Sequence, residues 1–436
     1  MHALRDLRLL LGGRDFRRLF AVRVASQFAD GVFQVALTSY VLFSPERQAT
    51  PQAIAAAFAV VLLPFSVLGP FTGVFIDRWS RRQILVWSNG VRTPLMLVVA
   101  ALVFTGGSVV ALFGIVLVAL SVNRFFLAAL SAALPHVVAG PRLVMANAVT
   151  PTSGTVAFLI GLGAAAGLRE VVERYGGAGN ATVLVSASLL FTGAALLATR
   201  MQRDLLGPDY DREQPGVREH ARHLVIGLVD GLTHLARRRE AALALLAIGA
   251  HRFFYGISTV ATILLYRGYF NDPTEPDAGF RGVAVAVLVS GAGFVSAAFV
   301  TPVATQRMSK QRWVLLLLVL AAVVEVVPGG FYTEPTLLVA AFALGFSSQG
   351  VKICVDTLVQ EEIDDAFRGR VFAVYDVVFN VAFVAAAAAG AAILPLDGKS
   401  YPALVLISAG YGLTALVYGW AHRTARHPSA AASPPR

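Results

Sequence analysis

Twelve stretches of this chain are each long and apolar enough to cross a bilayer, and that count leaves few folds open. A hydrocarbon core about 30 Å thick needs about 20 residues of helix, because only a helix or a closed barrel pairs its own backbone polar groups there. Such runs lie near 19–43, 52–76, 83–105, 109–133, 143–168 and 181–200. After a polar interval they resume near 241–266, 281–304, 313–328, 335–358, 370–394 and 401–421. Only 14% of residues are charged, where soluble chains carry about 25%. The predicted class is an all-α membrane protein of twelve transmembrane helices in two pseudo-symmetric six-helix bundles. The predicted layout is a basic amphipathic N-terminal segment (1–18), a first bundle (19–200), a cytoplasmic central loop (201–240), a second bundle (241–421) and a disordered cytoplasmic tail (422–436).

Orientation follows from the basic residues. Of 36 Lys and Arg, 25 fall in the N-terminus, alternate loops, central loop and tail, and 6 in the intervening loops. That asymmetry places both termini in the cytoplasm. It also accounts for the net charge of +10 without nucleic acid. A single cysteine, Cys354, excludes a disulfide framework or a cysteine metal cluster within the chain. No cleavable leader is read at the start. The bias to 33 Arg over 3 Lys, with abundant Ala and Gly, suggests a GC-rich bacterial genome and hence the inner membrane. In the central loop Leu224, Leu228, Leu232 and Leu235 share one helical face, predicting an amphipathic helix at the membrane surface or a solvated linker.

Ionisable groups inside a bilayer cost about 2.5–3.5 kcal/mol each on insertion scales, so each is a candidate for function. Span 1 carries Arg23, Gln27, Asp30 and Gln34 on one face. Asp30 lies near mid-span and is read as a proton-exchange carboxylate, or as a fixed ion pair with Arg252 or Arg124. Span 10 repeats the pattern with Gln349, Lys352, Asp356 and Gln360, and Lys352 and Asp356 can pair at i,i+4. Span 11 adds Asp376 and Asn380. Arg124 in span 4 and Arg252 in span 7 complete the candidate cavity. Arg92 in span 3 is read as snorkelling along a polar groove, and Glu325 in span 9 as interfacial. Phe125, Phe126, Phe253, Phe254 and Tyr255 flank buried Arg residues, as packing or as an aromatic pocket. Gly154, Gly163 and Gly167 in span 5 are read as helix-packing glycines.

Between spans 2 and 3, the segment TGVFIDRWSRRQIL (72–85) places Asp77, Arg78, Arg81 and Arg82 within six residues. It aligns with TPVATQRMSKQR (301–312), which sits between spans 8 and 9 of the second half. Weak internal repetition of this kind marks transporters built from two bundles.

Gly73, Asp77, Arg78, Arg81 and Arg82 reproduce the Gly-x-x-x-Asp-Arg-x-x-Arg-Arg signature at full spacing, and the chain thereby resembles the major facilitator superfamily over residues 15–422. The segments 351–377 and 131–149, with Ser26 and Asp30 in span 1, resemble the bacterial branch of drug, macrolide and siderophore exporters. The resemblance implies alternating access to a central cavity. It also implies a cytoplasmic gate in which Gly73 permits close approach to span 11, while Asp77 and Arg78 latch its start near Arg368 and Arg370. The antiporter motifs are half kept: Ala164 and Leu168 depart in span 5, and Leu127 and Ala128 in span 4.

The expected function is therefore export of a small hydrophobic or amphipathic compound by proton antiport, with no cofactor beyond the proton gradient. Expected partners are the substrate, protons and lipid; the protein is expected to work as a monomer. An uncoupled facilitator or importer of a polar metabolite, or a lipid or lysolipid flippase, is the alternative. No enzyme is expected. The segment LPLDGKS (394–400) ends like a phosphate loop, but Ile393 stands where its first Gly would be.

Overall fold

The structure, a computed structural model, describes residues 8–37, 50–56, 58–59, 76, 79–207, 230–272 and 276–426. No strand occurs among them. Helix Arg14–Leu37 occupies span 1. Spans 3 to 6 are Arg81–Thr105, Val109–Val137, Leu143–Arg174 and Gly179–Thr199. Spans 7 to 9 are Arg239–Leu264, Pro276–Arg307 and Lys310–Val326. Spans 10 to 12 are Glu334–Glu362, Asp365–Ile393 and Tyr401–Arg426. Ten of these helices meet length and hydropathy criteria for crossing a membrane. Most of span 2 lies outside the described residues, as do Gly73, Asp77, Arg78, Leu224, Leu228 and the tail from 427.

Several helices outrun their apolar cores. Span 5 continues to Arg174, where Arg169 meets Glu173 at 2.7 Å and Arg174 approaches Glu170 at 3.9 Å, both one turn apart. Such i,i+4 pairs support a helix after hydrophobicity ends. Span 3 stops at Thr105 because Gly106 takes a left-handed conformation (φ 65°) and Gly107 N–H returns to the Leu102 carbonyl at 2.8 Å. Ser108 then caps span 4 by accepting from Ala111 N–H.

The chain separates into two compact units. Unit 1 takes the described residues of 1–48, 56–235 and 363–381; unit 2 takes those of 49–55, 236–362 and 382–436. The division thus falls within the span 11 helix. In unit 1 the core gathers Val32, Phe33, Met96, Val116, Leu184 and Phe191 from spans 1, 3, 4 and 6. Spans 1 and 5 cross where a Cβ on Gly31 would overlap the Phe158 carbonyl and one on Gly161 the Phe28 carbonyl. Unit 2 repeats the device: Gly293 of span 8 abuts the Phe342 carbonyl, and Gly345 of span 10 the Ser290 carbonyl. Small residues permit such backbone approach.

This alters the reading of the span 5 glycines. Gly154 does sit against span 1, where a Cβ would lie 3.0 Å from Arg23 Nε and 3.2 Å from Gln27 Cγ. Gly163 and Gly167 have open space around them among the described residues, and the close approach runs through Gly161. Gly161→Ala is expected to destabilise the protein by about 1–3 kcal/mol, the cost of overpacking. Gly163→Ala is expected to stay within about 0.5 kcal/mol of wild type. Thermal unfolding of the two variants in one detergent checks this; equal losses would overturn it.

Candidate functional site

In unit 1 the polar face of span 1 meets spans 3 and 4 in a buried network. Arg92 is 1% exposed and Asp30 is 9% exposed. Their Nη1–Oδ1 distance is 2.8 Å. Gln27 donates Nε2–H to the other carboxylate oxygen at 2.6 Å. Arg92 also donates to Ser26 Oγ and Asn89 Oδ1, each at 2.7 Å, to Asn123 Oδ1 at 3.2 Å and to the Ser88 carbonyl at 3.3 Å. Its guanidinium lies 4.2 Å from the Phe191 ring centroid and 5.2 Å from that of Phe126. The planar fork of Arg suits this enclosure, since it binds in several directions at once and stacks on rings. The i,i+3 spacing of Asn89 and Arg92, and of Gln27 and Asp30, puts each pair on one helix face.

The ion pair expected for Asp30 with Arg252 or Arg124 is thus made by Arg92, which does not snorkel. Arg124 instead approaches Asp376 at 3.8 Å, both half-buried within unit 1. Gln34 is half-buried on the face of Asp30. Asn380 is buried in unit 1, and its Nδ2 has no hydrogen-bond partner among the described residues.

Unit 2 holds the remaining candidates. Lys352 donates to Asp356 Oδ2 at 2.7 Å, the pairing expected from their spacing; the Asp356 side chain is 4% exposed and that of Lys352 31%. Gln349 and Gln360 of the same face are buried. Arg252 lies over the Phe383 ring at 4.3 Å and the Tyr255 ring at 5.5 Å. Phe254 packs on Tyr411 at 5.4 Å.

Of the residues expected to form a gate, Arg81 and Arg368 meet at Asp365 in the first turn of span 11. Arg81 is fully buried. Its Nη1 reaches Asp365 Oδ1 at 2.9 Å and the Ala132 carbonyl at 3.0 Å, and its Nη2 reaches the Asp365 carbonyl at 3.3 Å. His136 Nε2 lies 2.9 Å from Asp365 Oδ1, and Arg368 donates to the same oxygen at 2.5 Å. Arg370 bonds the Ala366 carbonyl at 2.7 Å and covers the Phe367 ring at 4.5 Å. Arg82 instead donates to the Thr199 carbonyl at the end of span 6, at 2.8 Å. His234, at the end of the central loop, stacks on Phe367 with centroids 4.4 Å apart. The second-half copy is weaker. Lys310, aligned with Arg81, meets Glu361 at 2.8 Å, and both side chains are partly exposed. Water screens such a pair.

Sequence reasoning missed Asp365, His136, Asn89 and Asn123. The spacing Asp365–Arg368 was a signal available in the chain. Glu325 lies at the end of span 9 as expected, but it is 7% exposed rather than open to the surroundings, because span 9 turns it toward Ser258 of span 7.

Comparison with known proteins agrees with this architecture. A family model described as the Major Facilitator Superfamily matches residues 19–387. A Mycobacterium tuberculosis protein described as an uncharacterized MFS-type transporter is 36% identical over 404 residues, covering 92% of this chain and 90% of that protein. A Mycobacterium bovis protein of the same description matches to the same degree. Among solved structures, a bacterial homologue of the iron transporter ferroportin in an outward-facing state superposes with a TM-score of 0.68 at 16% identity. That match covers 93% of this chain and 99% of the other. The transporter FucP in the outward conformation gives a TM-score of 0.63 at 12% identity, over 92% and 98%. At these identities the likeness is one of fold. A match through spans 1 to 11, with a relative above one-third identity along nearly the whole chain, makes this a multi-pass membrane transporter that belongs to the major facilitator superfamily.

Proposed function

We propose that the protein exports a small hydrophobic or amphipathic compound in exchange for protons, and that Asp30 is the exchanging carboxylate. The observation that carries this is the asymmetry of the Asp30–Arg92 pair. Arg92 has four further oxygen acceptors and two aromatic faces, so it stays supported when Asp30 takes a proton. Among the described residues, the Asp30 carboxylate is bonded by Arg92 and by Gln27. A carboxylate whose partner can let go is suited to cycling between charged and neutral forms. Gln34 and the Arg124–Asp376 pair of the same unit supply polar groups for the path. Of the basic cavity candidates Arg124, Arg252 and Lys352, which would suit a phosphate headgroup, Arg124 and Lys352 face carboxylates, which favours a drug-like over a lipid substrate. In the same reading, the Arg81–Asp365 cluster serves as the cytoplasmic gate.

The test is transport in proteoliposomes of a panel of hydrophobic cations and amphipathic antibiotics, with and without an imposed pH gradient. Wild type is expected to accumulate at least one compound against its gradient when protons are supplied. Asp30→Asn is expected to abolish gradient-driven accumulation while keeping substrate exchange at equal pH. Unchanged accumulation in Asp30→Asn would refute the assignment, and transport indifferent to pH would favour an uncoupled facilitator.

A further inference from the structure

Unit 2 holds a buried carboxyl besides that of Asp356, and it takes no part in the function proposed above. Glu325, one residue before the end of the span 9 helix, points into a cavity of about 50 Å³ at that end of the unit, enough for about three waters. Spans 10 and 12, with Leu394 just after span 11, line it with apolar side chains such as Leu344 and Ile407. Ser258 and Thr262 of span 7, one turn apart, bring hydroxyls to it. Among the described residues, no Lys or Arg lines it.

Hydrogen counting at Ser258 favours a neutral carboxyl. Ser258 Oγ lies 3.1 Å from the Phe254 carbonyl and in close contact with Glu325 Oε1. Both are acceptors if Glu325 is ionised, yet a serine hydroxyl has one hydrogen. A protonated Glu325 resolves this: its O–H donates to Ser258 Oγ, and Ser258 donates to the Phe254 carbonyl. An unpaired carboxylate in an apolar membrane cavity would be expensive, whereas a neutral acid with one bond is not.

We propose that Glu325 is a proton-binding site of the second unit, with Ser258 as its hydrogen-bond switch. On release, the proton passes to cavity water, and Ser258 turns its hydrogen from the Phe254 carbonyl to the carboxylate. The titratable groups facing Glu325 are Tyr332 of the turn after span 9 and Tyr411 of span 12. Burial pushes the Tyr332 phenol up, so it stays neutral, although the Ser400 N–H bond to its oxygen at 3.1 Å pulls the other way. Lys399 reaches the Tyr332 ring at 5.5 Å and donates to the Tyr269 hydroxyl at 2.8 Å. The cavity therefore sits beneath a Tyr269–Tyr332–Lys399 cluster at the turn end of the unit, where the charge of an ionised Glu325 would be felt.

The proposal does not depend on Asp30. The experiment is pH-difference infrared spectroscopy of the full chain in lipid nanodiscs, reading the carbonyl stretch of protonated carboxyl groups. In Asp30→Asn, which removes the other proposed proton-exchanging carboxyl, a titrating band is expected; it is lost on adding Glu325→Gln and shifted in frequency and midpoint on adding Ser258→Ala. A band that survives in Asp30→Asn/Glu325→Gln, or is absent from Asp30→Asn, overturns the proposal. Should Glu325→Gln fail to fold, Ser258→Ala decides: an unmoved band overturns it.

Discussion

Arg92→Met is expected to cost about 3–5 kcal/mol of stability, the loss seen when one partner of a buried ion pair is removed. The substitution keeps volume and takes away every donor of the network. Asp30 would be left in the membrane with Gln27 alone, and Ser26, Asn89 and Asn123 would each lose a hydrogen bond. Asp30→Asn should cost clearly less, because Arg92 keeps those oxygens and the Phe191 face. The double variant Asp30→Asn/Arg92→Met should recover part of the loss, since no unpaired charge remains. Thermal unfolding of the three variants in detergent reads this ordering. If Arg92→Met melts like wild type, or Asp30→Asn melts below it, the network is not organised around Arg92. The ordering also matters for transport: it makes Asp30→Asn a folded protein in which a lost proton coupling can be interpreted.

The second large effect is expected at the start of span 11. Arg81→Ala removes bonds to Asp365, to its backbone carbonyl and to the Ala132 carbonyl from a side chain with no exposure. A loss of about 3–5 kcal/mol follows if the pair behaves as buried. Arg81→Lys should not restore it, because a single ammonium cannot span carboxylate and carbonyls at once. The half-exposed copy is the internal control. Lys310→Ala, whose Glu361 partner is open to water, is expected to cost no more than about 1 kcal/mol. Spin-label distances between the starts of spans 3 and 11 should broaden in Arg81→Ala and stay narrow in Lys310→Ala. Unchanged distances in Arg81→Ala would remove the case for a gate at this cluster.

Much of the fold was legible in the chain because membrane insertion is governed by local composition. The runs near 109–133 and 401–421 reappear as Val109–Val137 and Tyr401–Arg426. Ends were less legible, since i,i+4 ion pairs such as Arg169–Glu173 extend a helix beyond its apolar core. The site was legible in part for the same reason. Helical spacing put Lys352 beside Asp356 and Gln27 beside Asp30, and both contacts are present. Spacing along one helix carries no information about the helix opposite. Arg92 was therefore assigned no partner, and Asp30 was assigned two others.

The glycines make the same point from packing. Gly154, Gly163 and Gly167 share a motif, but only a neighbouring backbone decides which glycine is needed. That role falls to Gly161 against Phe28 and Gly345 against Ser290.

By itself, the sequence determined the number and length of the apolar spans, the charged turns that bound them and the family signature. Each depends on residues near one another in the chain and on their transfer between water and lipid. Only the tertiary structure decided that Arg92 holds Asp30, that Arg81 reaches Asp365 across more than 280 residues of chain, and that Glu325 turns inward to Ser258. Those pairings depend on which helix faces come together. In a bilayer many apolar faces are nearly equivalent, so close backbone contact and the satisfaction of buried polar groups select among them.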